Sequence, residues 1–457
     1  MNILLIRPKP SNETIGLQHV MICEPLELEY LAGNIKHEDV DTFIIDMIIE
    51  KKPIEYFIKL YQPDIVGLTG YITHIKIINE LSRRIRAVNP EIVIVVGGVH
   101  AEVMPEDFDS PYIDYVVEAN PIDTFNEIIS YVKNKMSDEI KHQPHIKGTY
   151  RIGTVNLKMP TFNYSQPNRS KVDRYRSRYY YMFHNPCALM KTSFGCPYNC
   201  SFCFCKEITD GKYYERNLDS VIEELKTIAE KEIYIVDDDF LFSRDRLNAF
   251  CDELQANNIK KKFLVYGRAD FIANNEDIIE RLAENGLSAV IVGLESYRDK
   301  DLDSYNKHTS IKENEKAVEI LKKYDIELYA TLILPMDFTK KDFINLGSWI
   351  KKLGIKFVNL QPLTPLPGTD IFNEYEKDLI IKRNDYEKWD LAHLALKPIH
   401  LSVRAYYLEI IKLYYRIIMS PESIKNMIRK YGLGAVLKLS KGSFFVTWQY
   451  VLKLLKG

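Results

Sequence analysis

Hydrophobic positions along the first 135 residues follow two alternating rhythms. Runs that are apolar almost throughout, "NILLI", "DTFIID", "DIVGLTG", "EIVIVVGG" and "DYVVE", predict strands. Between them "PLELEYLAGNIK", "PIEYFIKLY" and "HIKIINELSRRIRAV" repeat apolar residues at three- and four-residue steps and predict helices. Strands with continuous Val/Ile/Leu belong in a parallel sheet covered on both faces. The expected first unit, residues 1–135, is a doubly wound, Rossmann-like α/β sheet. Ligands of such sheets sit beyond the carboxyl ends of the strands, here Thr69–Gly70 and Gly97–Gly98 with His100 just after.

Residues 136–185, ending in the basic, tyrosine-rich "DRYRSRYYYMFHNP", lose the rhythm and read as a linker. It then resumes with "ALMKTSF", "EIYIV", "KFLVYG", "AVIVGLE", "ELYATLIL" and "FVNLQPL", a helical pattern following each of the first five. Six βα units predict a partial TIM-like (β/α)6 barrel over 186–384, with chemistry in the loops at the strand carboxyl ends. From 385 to 457 the pattern is helical, aromatic and basic. Such a tail either caps the barrel or lays an amphipathic face on an anionic bilayer.

Composition narrows the setting. The chain has 457 residues, 46% of them hydrophobic, and a net charge of −2, so two or three domains are expected and no nucleic-acid partner. No uninterrupted apolar run approaches the roughly 20 residues that span a bilayer. The opening "MNILLIRPKP" lacks the layout of a secretory signal. Seven cysteines, an odd number and mostly in one cluster, do not suit a disulfide framework. The expected setting is cytoplasmic, with association at a membrane surface as the variant the tail suggests.

Four of those cysteines lie in "SFGCPYNCSFCFC", residues 193–205, on the loop after the first barrel strand. Structural zinc sites usually pair two CxxC knuckles, and no second knuckle is present. Cys196, Cys200 and Cys203, spaced CxxxCxxC, can instead hold three irons of a 4Fe–4S cube and leave the fourth open. Zinc is the alternative, and Cys205 is too close to Cys203 to serve easily as a fourth ligand.

The CxxxCxxC motif at this position, with Phe202 before its last cysteine, resembles the radical S-adenosylmethionine (SAM) superfamily. The resemblance implies that the open iron chelates SAM, whose reductive cleavage gives a 5′-deoxyadenosyl radical that abstracts a substrate hydrogen. A reductant such as flavodoxin or ferredoxin is implied as partner. It also implies SAM contacts from Asp237 and Asp238 of "IVDDDFL", Arg268 of "GRAD", Glu295 and Ser296 of "VGLES", and Gln361 and Leu363 of "LQPLTPLPGT". The fifth strand departs from the family, reading "LILPMDFT" where a glycine-rich turn is common.

"PLELEYLAGNIK", "DIVGLTGYITH" and "EIVIVVGGVHAEVMPED" are similar to recurrent segments of cobalamin-binding domains. Thr69, Gly70, Gly97, Gly98 and His100 are the implied corrin contacts, since glycine lets a flat ring approach the backbone. The DxHxxG motif that supplies a cobalt ligand in many cobalamin proteins is absent, as is common in radical enzymes of this type. The combination implies a cobalamin-dependent enzyme that methylates an unactivated carbon of a small-molecule or lipid substrate. Relatives with the same architecture close or contract rings, so a radical rearrangement, oxidation or coupling without methyl transfer is the alternative. A corrinoid sensor would not need the cysteine motif, and a zinc-binding interaction protein would leave the strand-end motifs unexplained.

Overall fold

A computed structural model of the chain describes residues 1–16, 20–136, 145–153, 164–418 and 421–456. Its first strands are β1 (Asn2–Arg7), β2 (Met21–Ile22), β3 (Asp41–Asp46), β4 (Ile65–Thr69), β5 (Val93–Gly97) and β6 (Tyr115–Val116). All but β2 form one parallel sheet in the order β3-β1-β4-β5-β6. Helices cover both faces, which is why Ile3–Ile6 and Ile65–Thr69 are buried without alternation. The chain leaves β1 on one side for β3 and returns on the other for β4. Their carboxyl ends therefore part at a topological switch point, where doubly wound folds open a crevice. Thr69–Gly70 lie at that switch, and Gly97–Gly98 one strand further along.

The second unit comprises β7 (Tyr180–Tyr181), β8 (Cys187–Met190), β9 (Ser193–Phe194), β10 (Tyr214–Glu215), β11 (Glu232–Ile235), β12 (Lys262–Gly267), β13 (Leu287–Glu295), β14 (Glu327–Leu334) and β15 (Phe357–Pro362). Six of these make a parallel sheet ordered β15-β14-β13-β12-β11-β8, with no pairing from β15 back to β8, so the barrel is partial. Inward residues Leu189, Tyr234, Leu264, Ile291, Tyr329 and Phe357 fill its lower half. Outward residues pack under the surrounding helices in the largest apolar cluster. Capping boxes at Ser310–Glu313 and Thr339–Asp342 fix where two of those helices begin.

The aperiodic stretch between the sheets is an ionic staple. Residues Arg169–Arg178 form a 3-10 helix. Its Arg169 binds Glu24 (2.7 Å) and Glu224 (2.5 Å), and Arg176 binds Glu24 (2.8 Å). Glu24 also accepts from the Leu189 N–H of β8 at 2.5 Å, so one buried carboxylate ties the first sheet, the staple and the barrel together. β2 and β7 add an antiparallel clip beside it.

The chain past β15 turns back on the first domain. Phe372, Trp389 and Ala395 complete the apolar core beneath β1, β4 and β5. Asp107 accepts hydrogen bonds from Arg383 (3.1 Å) and Tyr386 (3.2 Å). Helices Val403–Ile418, Pro421–Tyr431 and Leu433–Lys456 follow, the first lying on the barrel helix Lys340–Leu353 and the third on the first. No helix among the described residues is long and apolar enough to cross a membrane.

Candidate active site

The loop after β8 is held in shape by groups that are not cysteines. Gly195 sits at φ +86°, and a Cβ there would lie 2.1 Å from the Lys212 carbonyl, so glycine is required. Ser201 donates its N–H to Tyr305 (3.1 Å), Ile371 donates to Ser201 (3.2 Å), and Asn306 Nδ2 donates to the Asn199 carbonyl at 2.7 Å. In this loop burial first, and then the neighbouring thiols, raise the pKa of Cys196 (from Cys203 and Cys200) and of Cys200 (from Cys203). Burial pushes the Cys196 thiol up to about 12. Cys203 is instead held below the usual thiol range, chiefly by its hydrogen bond with Cys205. The Cys205 thiol also reaches Asp238 at 3.7 Å, which makes it a neighbour of the three-cysteine set.

Two buried cations stand behind the cysteines. Arg268 points Nη1 at the Cys200 sulfur (3.8 Å) and lies 3.7 Å over the Tyr198 ring. Asp270 (2.9 Å) and the Lys307 carbonyl (2.6 Å) fix the guanidinium from its other edges. Lys307 pairs with Glu295 at 2.9 Å and lies 5.9 Å from the Phe202 ring centre. Glu295 takes φ +57°, unusual for a residue other than glycine, asparagine or aspartate. A Cβ on Gly293 would meet the Glu295 carboxylate at 2.2 Å and Lys307 Nζ at 2.7 Å, so the "VGLE" glycine makes room for the pair.

The three aspartates after β11 divide the work. Asp237 is buried and accepts from the Thr192 N–H (2.6 Å), Thr192 hydroxyl (2.5 Å) and Ser193 hydroxyl (2.7 Å). All its bonds go to stitching the ends of β8 and β11. Asp238 accepts from the Gly195 N–H at 2.9 Å and faces Lys191 and Cys205. Asp239 is also buried, yet neither of its carboxylate oxygens has a hydrogen-bond partner among the described residues. Burial raises its pKa to about 8 against the pull of Arg268 and Lys307. An acid left without a donor costs about 1–3 kcal/mol, a cost that a bound ammonium would remove.

These residues fit a 4Fe–4S cluster and SAM. Three mutually influencing thiols, two buried cations and one orphaned carboxylate are gathered at one strand mouth. No group of three or more His, Cys, Asp or Glu among the described residues has the spacing for a single metal ion. A cube asks for a different arrangement, each thiolate on its own iron.

Other expected contacts sort differently. Phe202 packs edge-on against Tyr305 beside the cluster loop. Gln361 shares the lumen face of β15 with Phe357. Ser296 donates its hydroxyl to Asp301 at 2.6 Å and is buried there, and Leu363 packs in the core outside the barrel. Asp239 and Lys307 were missed by the sequence reading. Lys307 lies in a turn with no strand-end signal, and Asp239 follows the last paired residue of β11, where strand parity no longer assigns a face.

In the first domain, a Cβ on Gly98 (φ +104°) would lie 2.9 Å from the Gly70 carbonyl and 2.8 Å from Thr69 Oγ1. One on Gly97 would meet only Val117, at 3.9 Å, so the fold itself does not require that glycine. His100 is buried, with Nε2 committed to Asp107 at 2.8 Å. Three side chains outside the expected set, Glu27, Tyr71 and Tyr266, keep solvent-accessible surface, yet burial is the leading cause of a raised pKa in each. Tyr71, just after β4, lies close enough to Glu27 and to Tyr266 of β12 for both to raise its pKa further, so the two domains face each other here. Tyr266 in turn feels Cys205 and Asp238, and Glu27 feels Arg7 and Thr69. Tyr71 and Tyr266 thus link the strand ends of the first sheet to the neighbourhood of the cysteine loop.

Comparison with known proteins agrees with both halves. Residues 14–129 match the B12 binding domain and residues 190–350 match the radical SAM superfamily. The hopanoid C-3 methylase of Methylococcus capsulatus is 23% identical over 90% of this chain and 79% of its own length. The anaerobic magnesium-protoporphyrin IX monomethyl ester cyclase of Cereibacter sphaeroides is 23% identical over 87% of this chain and 67% of its own. The radical SAM methyltransferase TsrM from Kitasatospora setae, solved with cobalamin and a [4Fe-4S] cluster, superposes with a TM-score of 0.72 at 15% identity, covering 97% of this chain and 99% of that one. The chain is a radical SAM enzyme that carries a B12-binding domain ahead of its barrel.

Proposed function

We propose that the protein is a cobalamin-dependent radical SAM methyltransferase acting on an unactivated carbon. The observation that carries this reading is that the two strand mouths face each other: Asp239 and the cysteine loop lie on the barrel side, and Tyr71 beyond the switch-point strand β4 meets Tyr266 of the barrel. A bound cluster supplies the electron that cleaves SAM, and a bound corrinoid supplies a methyl carrier. Cys196, Cys200 and Cys203 would hold the cluster, and Asp239 would take the methionine ammonium. Lys307 and Arg268 would balance negative charge on the thiolates and the methionine carboxylate. Gly97 and Gly98 would let the corrin lie against the strand ends. Val236, Tyr266 and Gln361 line the barrel mouth, where a substrate would be kept from water.

Radical SAM enzymes draw an electron from a reductant and act on small molecules; flavodoxin or ferredoxin is the donor proposed here. Free thiols at all seven cysteines support a reducing, cytoplasmic setting. The test is anaerobic reconstitution with cobalamin, reductant and SAM, read by mass spectrometry. 5′-Deoxyadenosine together with cobalamin-dependent S-adenosylhomocysteine supports methyl transfer. 5′-Deoxyadenosine alone overturns it in favour of a rearrangement or ring-forming reaction, of which the cyclase relative is the example.

A further inference from the structure

The terminal helix, Leu433–Lys456, has two faces of different character. Val436, Gly442, Val446 and Tyr450 turn inward, with Tyr450 against Tyr407 and Tyr414 of the helix beneath. The opposite face leaves large apolar side chains in solvent: Leu433 (56% exposed), Leu437 (60%), Phe444 (63%) and Trp448 (50%). Steps of four, seven and four residues place them on one stripe. Exposed Ser440 and Lys441 interrupt it once, and an apolar stripe of this kind on an outer helix marks an interaction surface. The preceding helix continues it with exposed Ile428, flanked by exposed Lys425 and Arg429.

Charge selects the occupant. Helix Leu433–Lys456 contains four lysines and no acidic residue. From Val403 to Lys456 there are ten Lys or Arg against two Glu, a net +8 in a chain whose total is −2, so the remainder carries −10. An anionic plane would attract this end and repel the rest, which orients the molecule. The stripe is a convex ridge bearing Trp and Phe beside Lys, the composition of helices that lie in a bilayer interface. A protein partner would have to offer a matching groove, whereas lipid conforms to a ridge.

We propose that the helices Pro421–Tyr431 and Leu433–Lys456 form a docking face for an anionic lipid bilayer. The ridge sits beside the loop that follows β1, where Gln449 donates to the Thr14 carbonyl (3.1 Å). Docking would therefore hold the loop that follows β1 close to the headgroups. This inference stands on the surface alone and does not depend on which reaction the protein performs.

The test is flotation of the full chain with vesicles of phosphatidylcholine, and of phosphatidylcholine with one-third phosphatidylglycerol. Of the three tryptophans, Trp349 and Trp389 are buried and Trp448 is exposed, so a blue shift of emission on binding reports the ridge. Expected results are preferential binding to the anionic vesicles, weakened by salt, with a Trp448 blue shift. Phe444→Ser with Trp448→Ser should reduce binding at least about tenfold. Lys425→Glu with Lys441→Glu should do so mainly at low salt, while Ile152→Ser, at a remote exposed position, should change nothing. Absence of binding, or binding unchanged in the ridge variant, overturns the proposal. A dimer of the free protein that the ridge variant converts to monomer would also overturn it, in favour of a second copy as the occupant.

Discussion

On the proposed reading, Asp239 is one side chain that is costly to the free protein and useful to the loaded one. Asp239→Asn removes a buried acid that lacks partners, so its urea midpoint should equal or exceed that of the parent. The same change should weaken SAM binding by about tenfold or more, the size of a charge-assisted hydrogen bond, measured by calorimetry on reconstituted protein. A loss of stability with SAM affinity intact would sink the assignment. Cys196, Cys200 and Cys203 each changed to Ala should abolish iron and sulfide incorporation, whereas Cys205→Ala should retain it. At this scale the sequence was informative wherever spacing carried the chemistry. The structure gathers the cysteines, Glu295 and Arg268 at one strand mouth, but of the "DDD" run the sequence singled out Asp237 and Asp238 and passed over Asp239. Only the partners of Asp237 reveal that it stitches strands, and only their lack at Asp239 exposes the likeness to a receptor site.

On the proposed reading the first domain holds its ligand at the strand ends, and the two adjacent glycines there should behave differently. Gly98→Ala meets the Gly70 backbone and a left-handed φ at once, so it should destabilise the domain. Gly97→Ala has room within the protein. It should leave the midpoint unchanged while lowering aquacobalamin affinity, read by the shift of its visible spectrum; unaltered affinity would argue against a corrin over this strand end. The turn after β4 has its own pH limit. His74 Nδ1 accepts the Tyr71 N–H at 3.2 Å, and burial lowers its pKa to about 4. A histidine with a depressed folded pKa gives stability that is present above pH ~6.5 and lost as pH falls toward ~4, about 3 kcal/mol in all. Urea midpoints should show that slope, and His74→Asn should flatten it. Strands and most helices were legible because burial on two faces writes itself as continuous apolar runs. The staple at 169–178 was not, because ion pairing between distant residues has no period along the chain.

For the molecule as a whole, the staple decides whether two domains act as one. Arg169→Ala leaves Glu24 and Glu224 each short of a partner in a buried setting. It should cost about 3–5 kcal/mol, the usual penalty for breaking one side of a buried ion pair. Thermal unfolding should then separate into two transitions, and a single transition at the parental midpoint would show that the β2–β7 clip and the returning segment suffice. The returning segment was the least legible feature. Phe372 and Trp389 lie on either side of the 384/385 division read from the sequence, and both pack in the first domain's core. Their placement has a consequence for synthesis. The helix that completes the first sheet ends at Met136, and Trp389 follows about 250 residues later. At ~5–20 residues per second the ribosome needs about 13–50 s to cover that distance. Through that interval the nascent α/β sheet is exposed where Trp389 will seat, so the first domain should draw chaperones until the segment carrying Phe372 and Trp389 has emerged.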